Sequence, residues 1–192
     1  MHLEIANSEV IRRRLVEGAI DVGLTEGVVE DDELESAVFL RDELVAIAPP
    51  GHALAKRRSV PAAALCGQPF VVREAGSGTK SVVERALAAR GLSVDPVMSL
   101  GSTEAIKRAV AAGVGVAIVS RLTVSQELQL GRLALVLLSD LSIRRPLHRL
   151  SVRGRTQGRA VAAFMALLAE ALPKEGRKAA RRNAECRTRN AE

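Results

Sequence analysis

The stretch LGSTEAIKRAVAAGVGVAIV, residues 100–119, decides the fold. Leu100 closes an apolar run that starts at Val97 and reads as a strand. Gly101-Ser102-Thr103 is a turn of small residues, 104–112 has helical periodicity, Gly113 stops it, and 115–119 reads as the next strand. The same order recurs upstream. Phe70-Val71-Val72 is a strand, Arg73-Glu74-Ala75-Gly76-Ser77-Gly78-Thr79 a glycine-rich turn, and a helix follows with Val82, Val83, Ala86 and Leu87 on one face, closed by Gly91. Downstream come a helix ending near Gly131 and a strand over 133–138. Strands alternating with helices of about three turns predict a parallel-rich α/β sheet.

Working outward, Leu3-Glu4-Ile5 alternates as a strand does. Asn7-Ser8 then supplies helix N-caps for a helix carrying Val10, Ile11, Leu15 and Val16, which Gly18 ends. The run 19–24 is the next strand, 30–35 is acidic and loop-like, and 37–40 and 44–48 are two further strands. Pro49-Pro50-Gly51 is the strongest punctuation in the chain and marks a crossing between two lobes. A short helix is expected near 61–65. After Asp140 a strand over 147–152 and an amphipathic helix over 160–172 return to the first lobe. The expected organisation is therefore a first lobe of 1–48 plus 141–172, a second lobe of 49–140, and a basic tail, 173–192. Ala48, Pro49 and Asp140 stand at the hinge.

Composition narrows the classes. The chain of 192 residues is 47% hydrophobic and 26% charged, which suits a folded protein, and no apolar run approaches the roughly 20 residues of a membrane span. The first residues lack the basic-then-apolar pattern of a secretory signal, so a cytoplasmic location is expected. The formal charge of +6 lies mostly in 173–192, where seven basic residues face three acidic ones; a solvated tail is the plain reading. Trp and Tyr are absent, which removes an aromatic platform for stacking bases. Cys66 and Cys186 lie far apart and the three histidines are scattered, so neither a disulfide, a metal nor a cofactor is expected.

Chemistry is expected at the two turns. In an open α/β sheet ligands bind beyond the carboxyl ends of the strands, where free N–H groups and the positive helix end point. Ser77, Gly78 and Thr79 offer close backbone approach and two hydroxyls, and Ser102 and Thr103 do so one strand later. Together they suit an anion held without formal positive charge. The competing reading is that these residues merely cap helices, each cap worth about 1 kcal/mol. Enzyme motifs fail: Thr79 stands where a phosphate loop needs glycine before Lys80-Ser81, and Ser81 where a dinucleotide fingerprint needs its third glycine. Ser77-Gly78-Thr79-Lys80 matches a Ser-x-x-Lys pattern without its companion segments. No catalytic machinery is read.

These residues resemble the effector-binding domain of LysR-type transcriptional regulators. The resemblance is carried by 73–79 and 100–119, and by LVEGAIDVGL at 15–24 and PPGHALA at 49–55, in family order over roughly residues 2–172. It implies the type 2 periplasmic-binding-protein fold: two Rossmann-like lobes joined by a two-strand hinge, here N-terminally truncated. It implies a small, anionic effector held between the lobes by Ser77, Gly78 and Thr79, with Ser102, Thr103 and Ser120 nearby and Thr25 and Glu26 from the first lobe. Members that sense sulfur-related or other oxyanions are the most similar. The family's winged helix-turn-helix, and the first strand and helix of its effector domain, have no counterpart in these residues. DNA contact is accordingly expected only through that further part, in a dimer or tetramer. A solute-binding protein of a transport system shares the fold, and an enzyme on the same scaffold would need a general base such as Glu26.

Overall fold

A computed structural model of the chain describes residues 2–26, 31–156 and 158–171. Contacts divide it into two units, Met1–Arg41 with Pro146–Glu192, and Asp42–Arg145. The tail at 173–192, with Cys186, lies outside the described residues.

In the first unit, Asn7 does what its position predicts. Its side-chain oxygen accepts from the Val10 N–H at 3.0 Å and opens helix α1, Ser8–Val16. Ile11 and Leu15 are buried on the face turned toward strand β1, Gly23–Glu26. The fit is close enough that a Cβ on Gly23 would stand 2.5 Å from Ile11 Cγ2. The strand expected over 19–24 starts later because the N–H groups of Ala19 and Ile20 turn back to the Arg14 carbonyl and close the helix. Leu3-Glu4-Ile5 forms no strand: Leu3 is 73% and Ile5 93% exposed, with no sheet neighbour among the described residues.

The two strands expected over 37–40 and 44–48 are one, β2, Leu34–Ala48. The change of unit falls within it, between Arg41 and Asp42, and not at Pro49-Pro50-Gly51. The return falls between Arg145 and Pro146 inside the last strand, and not at Asp140. Extended backbone runs unbroken through both places, so the turn residues are not where the units meet along the chain.

Within the second unit the chain forms strand β3, Phe70–Arg73, helix α2, Gly78–Ala88, strand β4, Pro96–Leu100, and helix α3, Thr103–Ala111. Strand β5, Ala117–Ser120, helix α4, Ser125–Gln129, and strand β6, Ala134–Val136, follow. Strand β7, Ile143–Val152, leads back to the first unit, which also holds helix α5, Arg159–Ala171. Strand β3 runs parallel to β4, and single parallel bridges join Phe70 to Val116 and Val60 to Leu138. The parallel-rich sheet expected from the sequence is only partly present. Strands β5 and β6 lie antiparallel on either side of β2, and β1 antiparallel to β7. The reason is that β2 and β7 are not products of strand-helix-strand repeats; they enter each unit from outside it.

Alternate residues of β2 and of the run 116–119 feed two cores. Leu44, Ala46, Val116 and Ile118 pack with Val83 and Leu87 of α2, whereas Val45, Ile47, Ala117 and Val119 pack with Ile106 and Val110 of α3. A sheet covered on both faces explains why these strands read as continuous apolar runs. Burying side chains of this kind contributes about 1.5–3 kcal/mol each. Among the described residues, no helix is long and apolar enough to cross a membrane.

One cation is buried beside this core. Lys107 of α3 bonds Glu127 and the Thr123 carbonyl, both at 2.8 Å, and Glu104 at 2.5 Å. Burial alone would lower the ammonium pKa, but the two carboxylates outweigh it and raise it above the ordinary range. The hydrogen bond from Lys107 holds Glu127 below its ordinary 4.5. The Glu127 contribution is therefore present above pH 4.5 and lost as pH falls through its lowered value. The Lys107 contribution is lost only as pH rises past its raised value, far in the alkaline range. Urea denaturation of wild type and Lys107→Met should diverge at neutral pH and converge on acidification below about pH 4.5. A second expectation concerns Gly115, whose absent Cβ would sit 2.2 Å from the Pro69 carbonyl oxygen. Gly115→Ala forces backbone apart and should cost about 1–3 kcal/mol in the same assay.

Candidate functional site

Parallel pairing of β3 and β4 brings both carboxyl ends to one edge: Arg73 stands opposite Leu100, and the Glu74 N–H donates to the Leu100 carbonyl at 3.2 Å. Helices α2 and α3 start just beyond, so their unpaired N–H groups and positive ends share this edge. Gly76, at φ 81°, makes the tight turn that a side chain would oppose.

The two serines at these junctions behave differently. Ser102 is exposed and its Oγ accepts from the Ala105 N–H at 3.1 Å, an ordinary helix cap. Ser77 is 2% exposed, makes no side-chain cap, and its Oγ has no partner among the described residues. Capping therefore accounts for Ser102 and leaves Ser77 unexplained. Thr103 Oγ1 accepts from Arg73 Nη1 at 3.3 Å, while Arg73 Nη2 reaches the Gly101 carbonyl at 3.5 Å. Arg73 also pairs with Glu74 at 2.8 Å. A guanidinium laces the two turns together, its charge balanced by the adjacent carboxylate.

Thr79, in the first turn of α2, is 4% exposed, and Gly78 is the first residue of that helix. Thr79 Oγ1 accepts from Arg145 Nη1 at 2.8 Å. Arg145 Nε and Nη2 donate to Asp42 Oδ2 at 2.9 and 2.8 Å, and Asp42 Oδ1 accepts from Ser120 Oγ at 2.9 Å. The Arg145 and Asp42 side chains are 2% and 0% exposed. Ser120 Oγ also accepts from the Leu122 N–H at 3.2 Å, so its hydroxyl is engaged inward. Sequence reasoning missed Asp42 and Arg145, which are 103 residues apart along the chain. The local signal at Asp42 was a short charged stretch, Arg41-Asp42-Glu43, ahead of the apolar run Leu44–Ala48.

In the first unit, Thr25 is 3% exposed with Oγ1 unpartnered among the described residues, and Glu26 is half-buried at the end of β1. Ala48 ends β2 opposite Ala134. The Pro49 carbonyl accepts from the His52 N–H at 3.2 Å, and Asp140 Oδ1 from the Ala62 N–H at 2.7 Å. These three residues set loops within the second unit.

Removing one partner of a buried ion pair strands the other charge. Arg145→Leu should cost about 3–5 kcal/mol in urea denaturation, and adding Asp42→Leu should cost less than the two single changes summed.

The LysR substrate binding domain model matches residues 1–173. The RuBisCO operon transcriptional regulator of Allochromatium vinosum is 34% identical over 164 residues, covering 85% of this chain and 54% of that protein. The chain thus spans about half the length of the curated relatives it matches. Among solved structures, the Synechocystis PCC6803 CcmR regulatory domain in complex with 2-PG superposes with a TM-score of 0.79. It is 30% identical, with 87% of this chain and 80% of that one covered. The effector binding domain of QuiR in complex with shikimate, at TM-score 0.75 and 16% identity over 83% and 75%, shares the fold. The α/β fold is that of LysR regulatory domains, in a family of transcription regulators and not of enzymes, and the chain belongs to the LysR family through its substrate-binding part.

Proposed function

We propose that this chain is the sensing part of a DNA-binding transcriptional regulator, and that it takes a small oxyanion or carboxylate effector at the amino end of α2. The observation that carries this reading is the Ser77 hydroxyl, buried at a helix N-terminus with no hydrogen-bond partner among the described residues. A buried polar atom left in this state is costly unless something completes it. Gly78 and Thr79 extend the same cradle with backbone N–H groups and a hydroxyl held in place by Arg145. Ser102, Thr103 and Ser120 support it more than they touch the ligand, because each hydroxyl already has a partner. The CcmR regulatory domain, 30% identical to this chain, is solved in complex with 2-PG, which makes 2-PG the first effector to try.

The wider reading is a type 2 periplasmic-binding-protein fold in which Thr25 and Glu26 of the first lobe complete the grip. Ligand biases the two lobes toward one arrangement, and DNA is contacted by a helix-turn-helix elsewhere in the full-length cytoplasmic protein, a dimer or tetramer.

Calorimetric titration with 2-PG tests the site. Ser77→Ala should keep the melting temperature, since its hydroxyl has no partner to lose, yet weaken binding by about tenfold. Thr79→Val should weaken binding too, with a loss of stability because Arg145 gives up an acceptor. Unchanged affinity in Ser77→Ala rejects the assignment.

A further inference from the structure

Helix α2 has a buried row, Thr79, Val83 and Leu87, spaced one turn apart. A helix packed on a sheet fills the space on both sides of such a row with apolar side chains. Val82 and Ala86 do so on one side, packed against the core. On the other side stand Lys80, Glu84 and Ala88, two charged residues and one whose side chain ends at Cβ. What results is a cavity of about 260 Å³, between this row and the segment 92–96 that returns the chain to β4. Phe70, Val72 and Ile118 line it from the sheet, Leu92 and Val94 from the returning segment. Every lining residue belongs to the second unit, Asp42–Arg145.

Protein interiors hold few voids larger than a water molecule, so an apolar opening of this size is out of the ordinary. Water gains little in it, because apolar walls offer few of the polar partners that an ordered water needs. A cavity of about 150 Å³ takes benzene, and the larger volume here suits an apolar body of roughly eight carbons. Polar groups on the wall are few. Arg73, which borders the cavity, is already held by Glu74 and Thr103. Lys80 is half-buried, and its ammonium comes no nearer than 3.8 Å to Glu84, its ion partner among the described residues. Such a pair at the helix surface is weak. Lys80 thus has donors to spare at the cavity wall, and the charge that a carboxylate seeks.

We propose that this cavity is a second ligand site, separate from the Ser77 end of α2, for a small monocarboxylate with an apolar tail. The tail packs against Phe70, Val83 and Leu87, and the carboxylate meets the Lys80 ammonium. Neither Ser77 nor Gly78 borders the cavity, so the site stands whether or not an effector sits at Ser77.

The whole chain, labelled at its Val, Leu and Ile methyl groups, is titrated with octanoate, with phenylacetate and octanol as further arms. Methyl spectra should show shifts confined to Val72, Val83, Leu87, Leu92, Val94 and Ile118. A response to octanoate alone supports an acyl ligand, and a response to phenylacetate alone an aryl one. Octanol should move the same methyls and bind about tenfold more weakly than octanoate, and Lys80→Met should remove that difference. Ala88→Leu extends a side chain from an exposed helix position that leucine suits. It should abolish binding of all three while melting no lower than wild type. Wild-type spectra and Lys80→Met carry the test if Ala88→Leu does not fold. Ser77→Ala should bind octanoate as wild type does. The site is overturned if no methyl moves at low millimolar octanoate, if shifts spread over both units, or if they survive in a folded Ala88→Leu. Weakened octanoate binding in Ser77→Ala puts the acid at the amino end of α2, which overturns the second site and leaves the first. An unchanged preference for octanoate in Lys80→Met overturns the role of the ammonium.

Discussion

The buried pair of Asp42 and Arg145 is the constraint on which the second unit depends. A carboxylate and a guanidinium, each out of water, are tolerable only because every strong hydrogen-bonding direction near them is used: Arg145 toward Asp42 and Thr79, Asp42 toward Arg145 and Ser120. The two residues are the first and last of the unit, one on each of the strands by which the chain enters and leaves it. The entry strand, the exit strand, the start of α2 and the end of β5 are thereby tied to one charge centre. Thr79 and Asp42 thus share one guanidinium.

That arrangement also separates the hydroxyls of the site by role. Ser120 and Thr103 are committed to protein partners, and Ser102 caps its helix. Ser77 alone among these stays buried and unspent, at the end of a helix whose field favours negative charge. In the first unit Thr25 and His148 show the same condition on a face otherwise apolar. Unspent hydrogen-bonding capacity, and not the mere presence of serine or threonine, is what sets these groups apart from the structural hydroxyls around them.

Much of the architecture was readable because helices and strands of this fold announce themselves locally. The run 100–119 predicted β4, α3 and β5 within a few residues, and Asn7 and Gly18 marked the ends of α1 correctly. What failed depended on partners far along the chain. Leu3-Glu4-Ile5 alternates as a strand should but finds no neighbour, and 37–40 with 44–48 looked like two strands because Arg41-Asp42 reads as a polar break. Asp42 does not break β2, since Arg145 neutralises it from β7.

By itself, then, the sequence determined the alternation of elements, the two glycine- and hydroxyl-bearing junctions, and the family resemblance they carry. Periodicity and turn chemistry are properties of neighbouring residues, which is why they survive without coordinates. Tertiary structure alone decided which hydroxyls are occupied, where the chain changes unit, and that a histidine unremarkable in the sequence lies opposite Thr25. Hydrogen bonds and ion pairs between residues about a hundred positions apart leave no local trace, because the energy that fixes them exists only once the strands are side by side.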